Sequence, residues 1–149
     1  MSNTLSAFLA EPAGAVLSAA PGLDALRYRP APTVRVVRGS RMRTKAALLD
    51  ELAAALQFPL HFGGNWDALA DCLGDLDWIR ASGTVVLAVA EAEQVLADQP
   101  AELATLASVL ADATGDGARL AVLLHASGGD PAAVRKTWGD AGLALTVAG

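Results

Sequence analysis

The sequence predicts an α/β protein in which a parallel sheet of three strands is packed with helices, and two observations support this prediction. Short, almost uninterrupted apolar runs occur at residues 83–90 and 119–124, and such runs are typical of parallel strands that are buried on both faces. Segments with the helical spacing of apolar residues separate these runs. Strands that alternate with helices form parallel sheets with right-handed crossovers.

The first predicted strand spans residues 33–38, because the sequence TVRVVR is rich in β-branched residues and is followed by a Gly-Ser pair. Thr44 is a good N-cap for the helix that follows, which we expect to run to about Gln57 with its leucines on the buried face. Pro59 then ends this helix, since proline cannot continue one.

A loop is predicted over residues 58–64, and Asn65 is a good N-cap for a second helix that reaches about Leu76. The buried strand at residues 83–90 comes next. A short helix is expected over residues 91–97.

Asp98 and Pro100 then open a longer helix with leucines on its inner face. Two glycines end this helix, and the buried strand at residues 119–124 completes the three-stranded sheet.

The chain outside a central domain of residues 33–127 is predicted to form two extensions. Four prolines interrupt the Ala-rich residues 1–32, so we expect short helical pieces there. Residues 128–149 are predicted to add a helix that starts at Pro131. Two sheets remain possible from the sequence: one of three strands, and one of four strands in which residues 143–147 form the fourth.

Length and composition exclude several classes of protein. A chain of 149 residues with 53% apolar residues is long enough for one domain with a real core and is too apolar to be disordered. One cysteine cannot crosslink the fold, and no apolar run approaches the roughly 20 residues of a membrane span. The first residues contain no basic side chain before their apolar stretch, unlike a secretory signal. These observations predict a cytoplasmic protein.

The formal net charge of −5 is unevenly distributed. Residues 1–45 contain seven basic and two acidic side chains, whereas residues 46–149 contain four basic and fourteen acidic ones. These counts correspond to net charges of +5 and −10. An acidic field attracts basic proteins and repels nucleic acid. The simpler interpretation is that the carboxylates only keep an Ala-rich chain soluble.

The predicted second helix contains an unusual stripe of acidic residues. Asp67, Asp71 and Asp75 are spaced four residues apart, so they share one helix face, where like charges repel by about 0.2–0.5 kcal/mol per pair. Asp is also a poor residue for a helix interior. Because functional sites are where local rules are broken together, we interpret the stripe as a binding feature.

The other clusters of reactive side chains match no standard site. His61 with Asp67 and Asp71 fits no usual set of metal ligands, and Cys72 lies on the apolar helix face, where thiols are unreactive. The chain contains neither a P-loop nor a dinucleotide-binding pattern, and Asp67 would repel a phosphate from the diglycine turn. We therefore predict no catalytic site, no metal and no cofactor.

Residues 58–73, with the sequence FPLHFGGNWDALADCL, resemble the signature of the barstar family, small intracellular inhibitors of barnase-type ribonucleases. The family pattern is an aromatic loop, then Gly-x-Asn and an apolar residue, then Asp-Ala-Leu-x-Asp-x-Leu on a helix. The resemblance extends from about Thr33 to His125. It implies the fold of that family, a three-stranded parallel sheet packed with helices.

In the barstar family, this helix and the loop before it block the active site of the ribonuclease. The resemblance implies that the carboxylate of Asp71 takes the place of a substrate phosphate and pairs with the catalytic Arg and His residues of the enzyme. Asp67 matches the second inhibitory acid of the helix, and Asp112 matches an acid near the end of a later helix. Gly63, Asn65 and Trp66 match further interface positions.

Three positions depart from the family pattern. His61 replaces an inhibitory tyrosine, Ala70 replaces a bulky aromatic residue, and Leu76 replaces a tryptophan. These changes remove large side chains of the kind that often contribute most of the binding energy at an interface. The target is therefore not restricted to barnase itself. The complete predicted binding surface consists of His61, Gly63, Asn65, Trp66, Asp67, Ala70, Asp71, Asp75, Leu76 and Asp112.

Three functions follow as hypotheses. The first is an inhibitor of a barnase-type microbial ribonuclease, without enzymatic activity of its own. The second is a barstar-like interaction or immunity module that binds a different basic protein or toxin. The third is RNA binding by the arginines of residues 1–45, although these charges can equally balance the acidic remainder of the chain. We expect a protein partner, with no direct contact to nucleic acid or membrane.

Overall fold

Five parallel strands form a single sheet in the computed structural model, which describes residues 4–81 and 83–149. In chain order they are β1 (Ala15–Ser18), β2 (Thr33–Arg38), β3 (Val85–Ala90), β4 (Leu120–His125) and β5 (Thr146–Val147). Across the sheet they lie in the order β2-β3-β4-β1-β5, so that β2 and β5 are the edge strands. The predicted α/β class with a parallel sheet is confirmed, but the sheet has five strands instead of three or four.

Helices cover both faces of this sheet. They are α1 (Leu5–Ala10), α2 (Lys45–Leu56), α3 (Trp66–Asp75), α4 (Leu103–Ala113) and α5 (Pro131–Ala141). The short helix predicted over residues 91–97 is only a 3-10 turn at Ala92–Gln94, and a second 3-10 segment, Leu23–Tyr28, precedes β2. No helix within residues 4–81 and 83–149 has the length and apolar character needed to cross a membrane.

Strand β1 contradicts the expectation that residues 1–32 form only short helical pieces. It pairs with β4, where Val16 lies opposite Leu123, and with β5, so it is an interior strand. Only four residues long, β1 is too short for a period to be recognised in the sequence. What makes it a strand is pairing with a partner roughly a hundred residues later in the chain.

Two apolar clusters fill the two faces of the sheet. The helices α2 to α5 cover the larger cluster, to which β1 contributes Leu17. The smaller cluster lies under α1 and the Leu23–Tyr28 segment, and it contains Phe8 and Val16. Residues before position 33 and after position 127 therefore supply core side chains and strands. The division into a central domain with two extensions stays a prediction.

Candidate protein-binding site

The loop between α2 and α3 turns two side chains toward solvent and packs a third, half-buried, against the core. The ring of Phe62 packs edge-on against Phe58, with 4.9 Å between the ring centroids. Leu60 and His61, in contrast, are exposed. Gly64 has a φ of 68°, in the left-handed region that glycine adopts without strain. The contact of Phe62 with Phe58 thus fixes the loop to the core. Leu60 and His61 form the solvent-facing side of the loop.

Helix α3 begins at Trp66, directly after its predicted N-cap Asn65. The side-chain oxygen of Asn65 accepts a hydrogen bond of 2.8 Å from the backbone N–H of Ala68, which satisfies one of the free donors at the helix start. Asp67 lies in the first turn, where the helix dipole favours a negative charge. This cap fixes the direction in which the helix leaves the loop.

The solvent face of α3 carries the acidic stripe between small residues. It is formed by Asp67, Ala70, Asp71, Gly74 and Asp75, all of them exposed. Leu69 and Leu73 bury the opposite face. No ion pair among the described residues includes any of the three stripe aspartates. Ala70 has only a methyl group and Gly74 has no side chain, so neither covers them. The stripe is therefore an open row of carboxylates.

At the C-terminal end of α3 the carboxylates interact with one another. A hydrogen bond with Asp75, together with its negative charge, raises the pKa of Asp77, while the guanidinium of Arg119, at 3.9 Å, lowers it. Two carboxyl groups can share a hydrogen bond only when one of them holds a proton. Asp77, just beyond the stripe, therefore keeps its proton to a higher pH than an isolated carboxyl group.

The same negative charges act on the half-buried thiol of Cys72. Burial raises the pKa of its thiol most, and the charges of Asp71 and Asp75 raise it further. A thiol that stays protonated is a weak nucleophile. This agrees with the interpretation of Cys72 as an unreactive core residue.

Trp66 is held in place by two neighbouring helices. Its indole Nε1 donates a hydrogen bond of 3.0 Å to the carboxylate of Glu102, at the start of α4. The ammonium group of Lys45, at the start of α2, lies 5.4 Å from the ring centroid, within range of a cation–π interaction. The N-terminal ends of three helices therefore meet at one indole, and the position of α3 is fixed there.

The structure brings most of the predicted surface together. Loop and helix form one continuous stretch that contains His61, Gly63, Asn65, Trp66, Asp67, Ala70, Asp71 and Asp75. Asp112 is exposed near the end of α4, a helix that packs against α3.

Leu76 is the exception among the predicted surface residues. Its exposed fraction is 0%, because it terminates α3 in a left-handed conformation and turns into the core. Leu76 therefore has no surface with which to contact a partner, and we remove it from the binding surface.

Three residues near the site were not singled out from the sequence. Leu60 is completely exposed beside His61, and a lone leucine outside any helical or strand period is a signal that could have marked it. Lys45 and Glu102 reach Trp66 from distant parts of the chain. No local pattern identifies those two contacts, since they exist only after the helices have packed.

Several arginines of the basic N-terminal region pair with acids inside the molecule. Arg27 pairs with Asp24, Arg38 with Glu91, and Arg43 with Asp98 at 2.8 Å. The pairs of Arg38 and Arg43 agree with the interpretation that basic charges balance the acidic remainder of the chain, whereas Asp24 belongs to the basic region itself. They leave fewer free cations for RNA.

The described residues offer no support for a metal site. Within residues 4–81 and 83–149, no three His, Cys, Asp or Glu side chains lie close enough to hold an ion. His61, Asp67 and Asp71 are thus no metal cluster.

Comparison with protein families identifies one match. A family model described as barstar (barnase inhibitor) matches residues 33–126. This range begins with β2 and ends just after β4, so it contains α3, its preceding loop and Asp112. No curated protein matches the chain.

Comparison with solved structures finds the same arrangement of strands and helices inside larger proteins. The crystal structure of Cdc6p from Pyrobaculum aerophilum is similar, with a TM-score of 0.59 and 22% identity over 96% of this chain and 41% of that one. A structure of Drosophila ORC bound to GC-rich DNA and Cdc6 gives a TM-score of 0.50 and 15% identity, over 95% and 50% of the two chains. The chain thus spans half or less of these proteins, and such low identity shows a shared fold alone.

Proposed function

Because the chain belongs to the barstar family of non-enzymatic inhibitors, whose partner is a ribonuclease, we propose that it inhibits a barnase-type ribonuclease. Helix α3 and the loop before it enter the active site of the enzyme. Asp71 takes the place of a substrate phosphate, as the family resemblance implies. The observation that supports this proposal best is the open row of three carboxylates on α3, none of which has a cationic partner within the described residues.

Electrostatics explains why an unpaired acidic row suits this task. The active site of a ribonuclease is cationic because it binds phosphates, so an acidic surface accelerates the encounter and sets its orientation. In the free inhibitor the carboxylates repel one another. The positive charges of the partner relieve this repulsion on binding. The complex therefore loses an unfavourable interaction that the free inhibitor contains.

The surface around the stripe provides the remaining contacts. Leu60 and His61 are exposed on the loop before α3, and Trp66, the first residue of α3, is held by its hydrogen bond to Glu102. A typical inhibitor interface buries about 800 Å² on each partner. Because Trp66 and Asn65 already fix the start of α3, little ordering cost remains for binding.

The proposal is tested by titrating candidate basic microbial ribonucleases with the wild type and with Asp71→Ala. Removing one member of a buried ion pair costs about 3–5 kcal/mol, so we expect inhibition to weaken about 100-fold or more. Asp50→Ala is the matched control, since Asp50 is an exposed aspartate on α2 outside the proposed surface. Association of the wild type should also slow as salt is added. Equal inhibition by wild type and Asp71→Ala would refute the mechanism.

One observation favours a second candidate, a barstar-like interaction or immunity module for a different basic protein or toxin. Ala70 places only a methyl group between Asp67 and Asp71, and Leu76 is buried, so two positions where the family pattern has aromatic side chains add little to this surface. Capture from a native extract with the wild type and with Asp71→Ala separates the two candidates: a partner with ribonuclease activity supports the first, and a non-nuclease supports the second.

The remaining expectations from the sequence stay predictions. They are the lack of enzymatic activity, the cytoplasmic location and the lack of direct contact with nucleic acid. A gel shift with RNA at low and moderate salt checks the last of these. Tight, salt-sensitive binding would contradict it.

A further inference from the structure

Leu60, in the loop between α2 and α3, is the most exposed large apolar side chain among the described residues. Its exposed fraction is 106%, compared with 78% for Tyr28 and 48% for Val147, the two others of this kind. Single exposed apolar side chains are common on protein surfaces, so exposure alone does not identify a contact. The geometry of the loop around Leu60 supplies the further observations.

Leu60 occupies a corner of a tight turn. The backbone N–H of Phe62 donates a 2.9 Å hydrogen bond to the carbonyl of Pro59, so Leu60 and His61 are the two central residues of the turn. Such positions often hold Gly, Pro, Asn, Asp or Ser, which fit the turn or bond to its backbone. Leucine has neither property, and a side chain this exposed adds no packing to the free chain.

The turn is fixed to the core by the aromatic side chains around it. The ring of the buried Phe58 lies 4.9 Å from that of Phe62 and 6.0 Å from that of Trp78, between ring centroids. The indole Nε1 of Trp78 in turn donates a 2.7 Å hydrogen bond to the carbonyl of Leu56, at the end of α2. The apolar corner of the turn is therefore presented to solvent on a rigid support.

A rigid and fully exposed apolar side chain is well suited to binding. Its whole apolar area can be removed from water at an interface, and the loop loses little freedom because it is already ordered. The loop leads directly into α3, whose carboxylates attract a cationic partner. Salt screens that attraction but leaves the burial of a leucine almost unaffected. The two features therefore make different demands on the same partner.

We propose that Leu60 is an apolar anchor of the inhibitory surface, and that the partner has an apolar pocket beside the cationic site that receives α3. This inference rests on the proposed function, because it places the loop and α3 on one partner. It adds a requirement to that function. A basic protein without the apolar pocket binds weakly, so Leu60 determines which basic partners the surface selects.

The test measures association and dissociation rates of the full chain with barnase and other basic microbial ribonucleases. Leu60→Ala should raise the dissociation rate at least tenfold with little change in the association rate, since no charge is altered. Leu60→Met keeps the volume and apolar character and should retain most of the affinity. Leu60→Asn should lose at least as much as Leu60→Ala. Equal affinity of the four proteins would overturn the proposal.

Salt and a matched variant identify the kind of contact. The factor by which Leu60→Ala weakens binding should stay constant from low to high salt, whereas the factor for Asp71→Ala should shrink. Tyr28→Ala is the control, because Tyr28 is exposed and lies outside the loop and α3. A Leu60 effect that shrinks with salt like that of Asp71, or an equal loss in Tyr28→Ala, would contradict an apolar anchor.

A measurement on the free chain separates binding from folding. Leu60→Ala and Leu60→Asn should unfold at the same urea concentration as the wild type, because the exposed side chain supports no packing. A clear loss of stability in both variants would assign Leu60 to the fold and would overturn the proposal without any partner.

The outcomes also distinguish this inference from the function on which it rests. Inhibition that requires Asp71 but not Leu60 overturns the anchor and leaves the proposed function intact. If the wild type inhibits none of the ribonucleases, the proposed function fails, and the anchor fails with it. Inhibition that requires both residues supports the anchor and the function together.

Discussion

The indole Nε1 of Trp66 donates a 3.0 Å hydrogen bond to Glu102 Oε2, although the two residues are 36 positions apart in the chain. This bond joins the first residue of α3 to the residue before α4. Since the acidic stripe begins one residue after Trp66, the contact sets where the carboxylates stand relative to the rest of the molecule. A protein-binding helix that is fixed before binding loses less entropy on association.

Glu102→Ala should lower the free energy of unfolding by about 1–2 kcal/mol, because it leaves a half-buried indole donor without an acceptor. Urea denaturation measures this loss, and a red shift of the tryptophan emission reports the freed indole. Glu102→Gln is the control, since it keeps an acceptor oxygen and should recover most of the stability. An equal loss in both variants would show that the charge of Glu102 at the start of α4 matters more than the hydrogen bond.

A second prediction concerns pH and the contact between β2 and β3. The hydroxyl of Ser40 donates to Glu91 Oε1 at 2.6 Å, and Arg38 Nε lies 3.4 Å from the same oxygen. The hydrogen bond from Ser40, and then the charge of Arg38, lower the pKa of Glu91 below its ordinary value. The stabilisation is therefore present above the unfolded pKa of about 4.3 and disappears as the pH falls through the lower folded value.

Glu91→Gln should accordingly be less stable than the wild type at neutral pH, and the gap should narrow below about pH 4. Chemical denaturation across this range measures the gap. Ser40→Ala removes the largest cause of the shift, so an NMR titration of this variant should give a higher pKa for Glu91. A gap that stays constant down to about pH 3 would contradict the assigned role of Glu91.

The field of the acidic stripe can be measured without a partner. Burial, Asp71 and Asp75 all raise the pKa of the Cys72 thiol, so alkylation at neutral pH should be slower than for a free cysteine. Asp71→Asn and Asp75→Asn each remove a negative charge, which lowers the pKa and should accelerate alkylation. The rate as a function of pH gives the pKa directly.

Salt supplies the control for this experiment. Added salt screens the exposed aspartates, so it should accelerate alkylation in the wild type more than in the double variant with both Asn substitutions. Asp50→Asn, on α2, should leave the rate unchanged. If the Asn variants at positions 71 and 75 react like the wild type, burial alone controls the thiol and the stripe has little field at Cys72.

Local signals predicted much of the candidate site. The Asn65 cap and the apolar spacing of Leu69 and Leu73 placed α3 to within a residue at its end, and the spacing of the aspartates placed them on one exposed face. The contacts that orient this helix were not predictable in the same way. The bond from Trp66 to Glu102 depends on how the helices pack, and a single sequence contains no pattern for such a pair.

Leu76 and strand β1 are two of the places where the structure departs from the prediction. The family resemblance implies a surface position for Leu76, where the family has a tryptophan, but its left-handed backbone turns the side chain into the core. Strand β1 was missed because four residues contain too little periodicity, although Val16 and Leu17 fill opposite faces of the sheet. For β1 the tertiary environment decides the outcome, because the local pattern is too short to reveal it.

The position of β1 leads to a final prediction about the central segment of residues 33–127. β1 lies between β4 and β5, and its residues Val16 and Leu17 pair with Leu123 and Leu124. Without β1, the fully buried strand β4 becomes an edge with unpaired backbone groups and exposed leucines. The isolated segment should therefore lack a cooperative thermal transition, bind a hydrophobic dye and aggregate.

Leu17→Ala in the full chain probes the same contact without truncation. Leu17 has an exposed fraction of 1%, and a fully buried leucine replaced by alanine costs about 2–5 kcal/mol. We expect this variant to fold with reduced stability, which denaturant unfolding measures. If residues 33–127 alone give a dispersed NMR spectrum and a cooperative transition, the central domain predicted from the sequence is independent, and β1 is an addition to a sheet that three strands already stabilise.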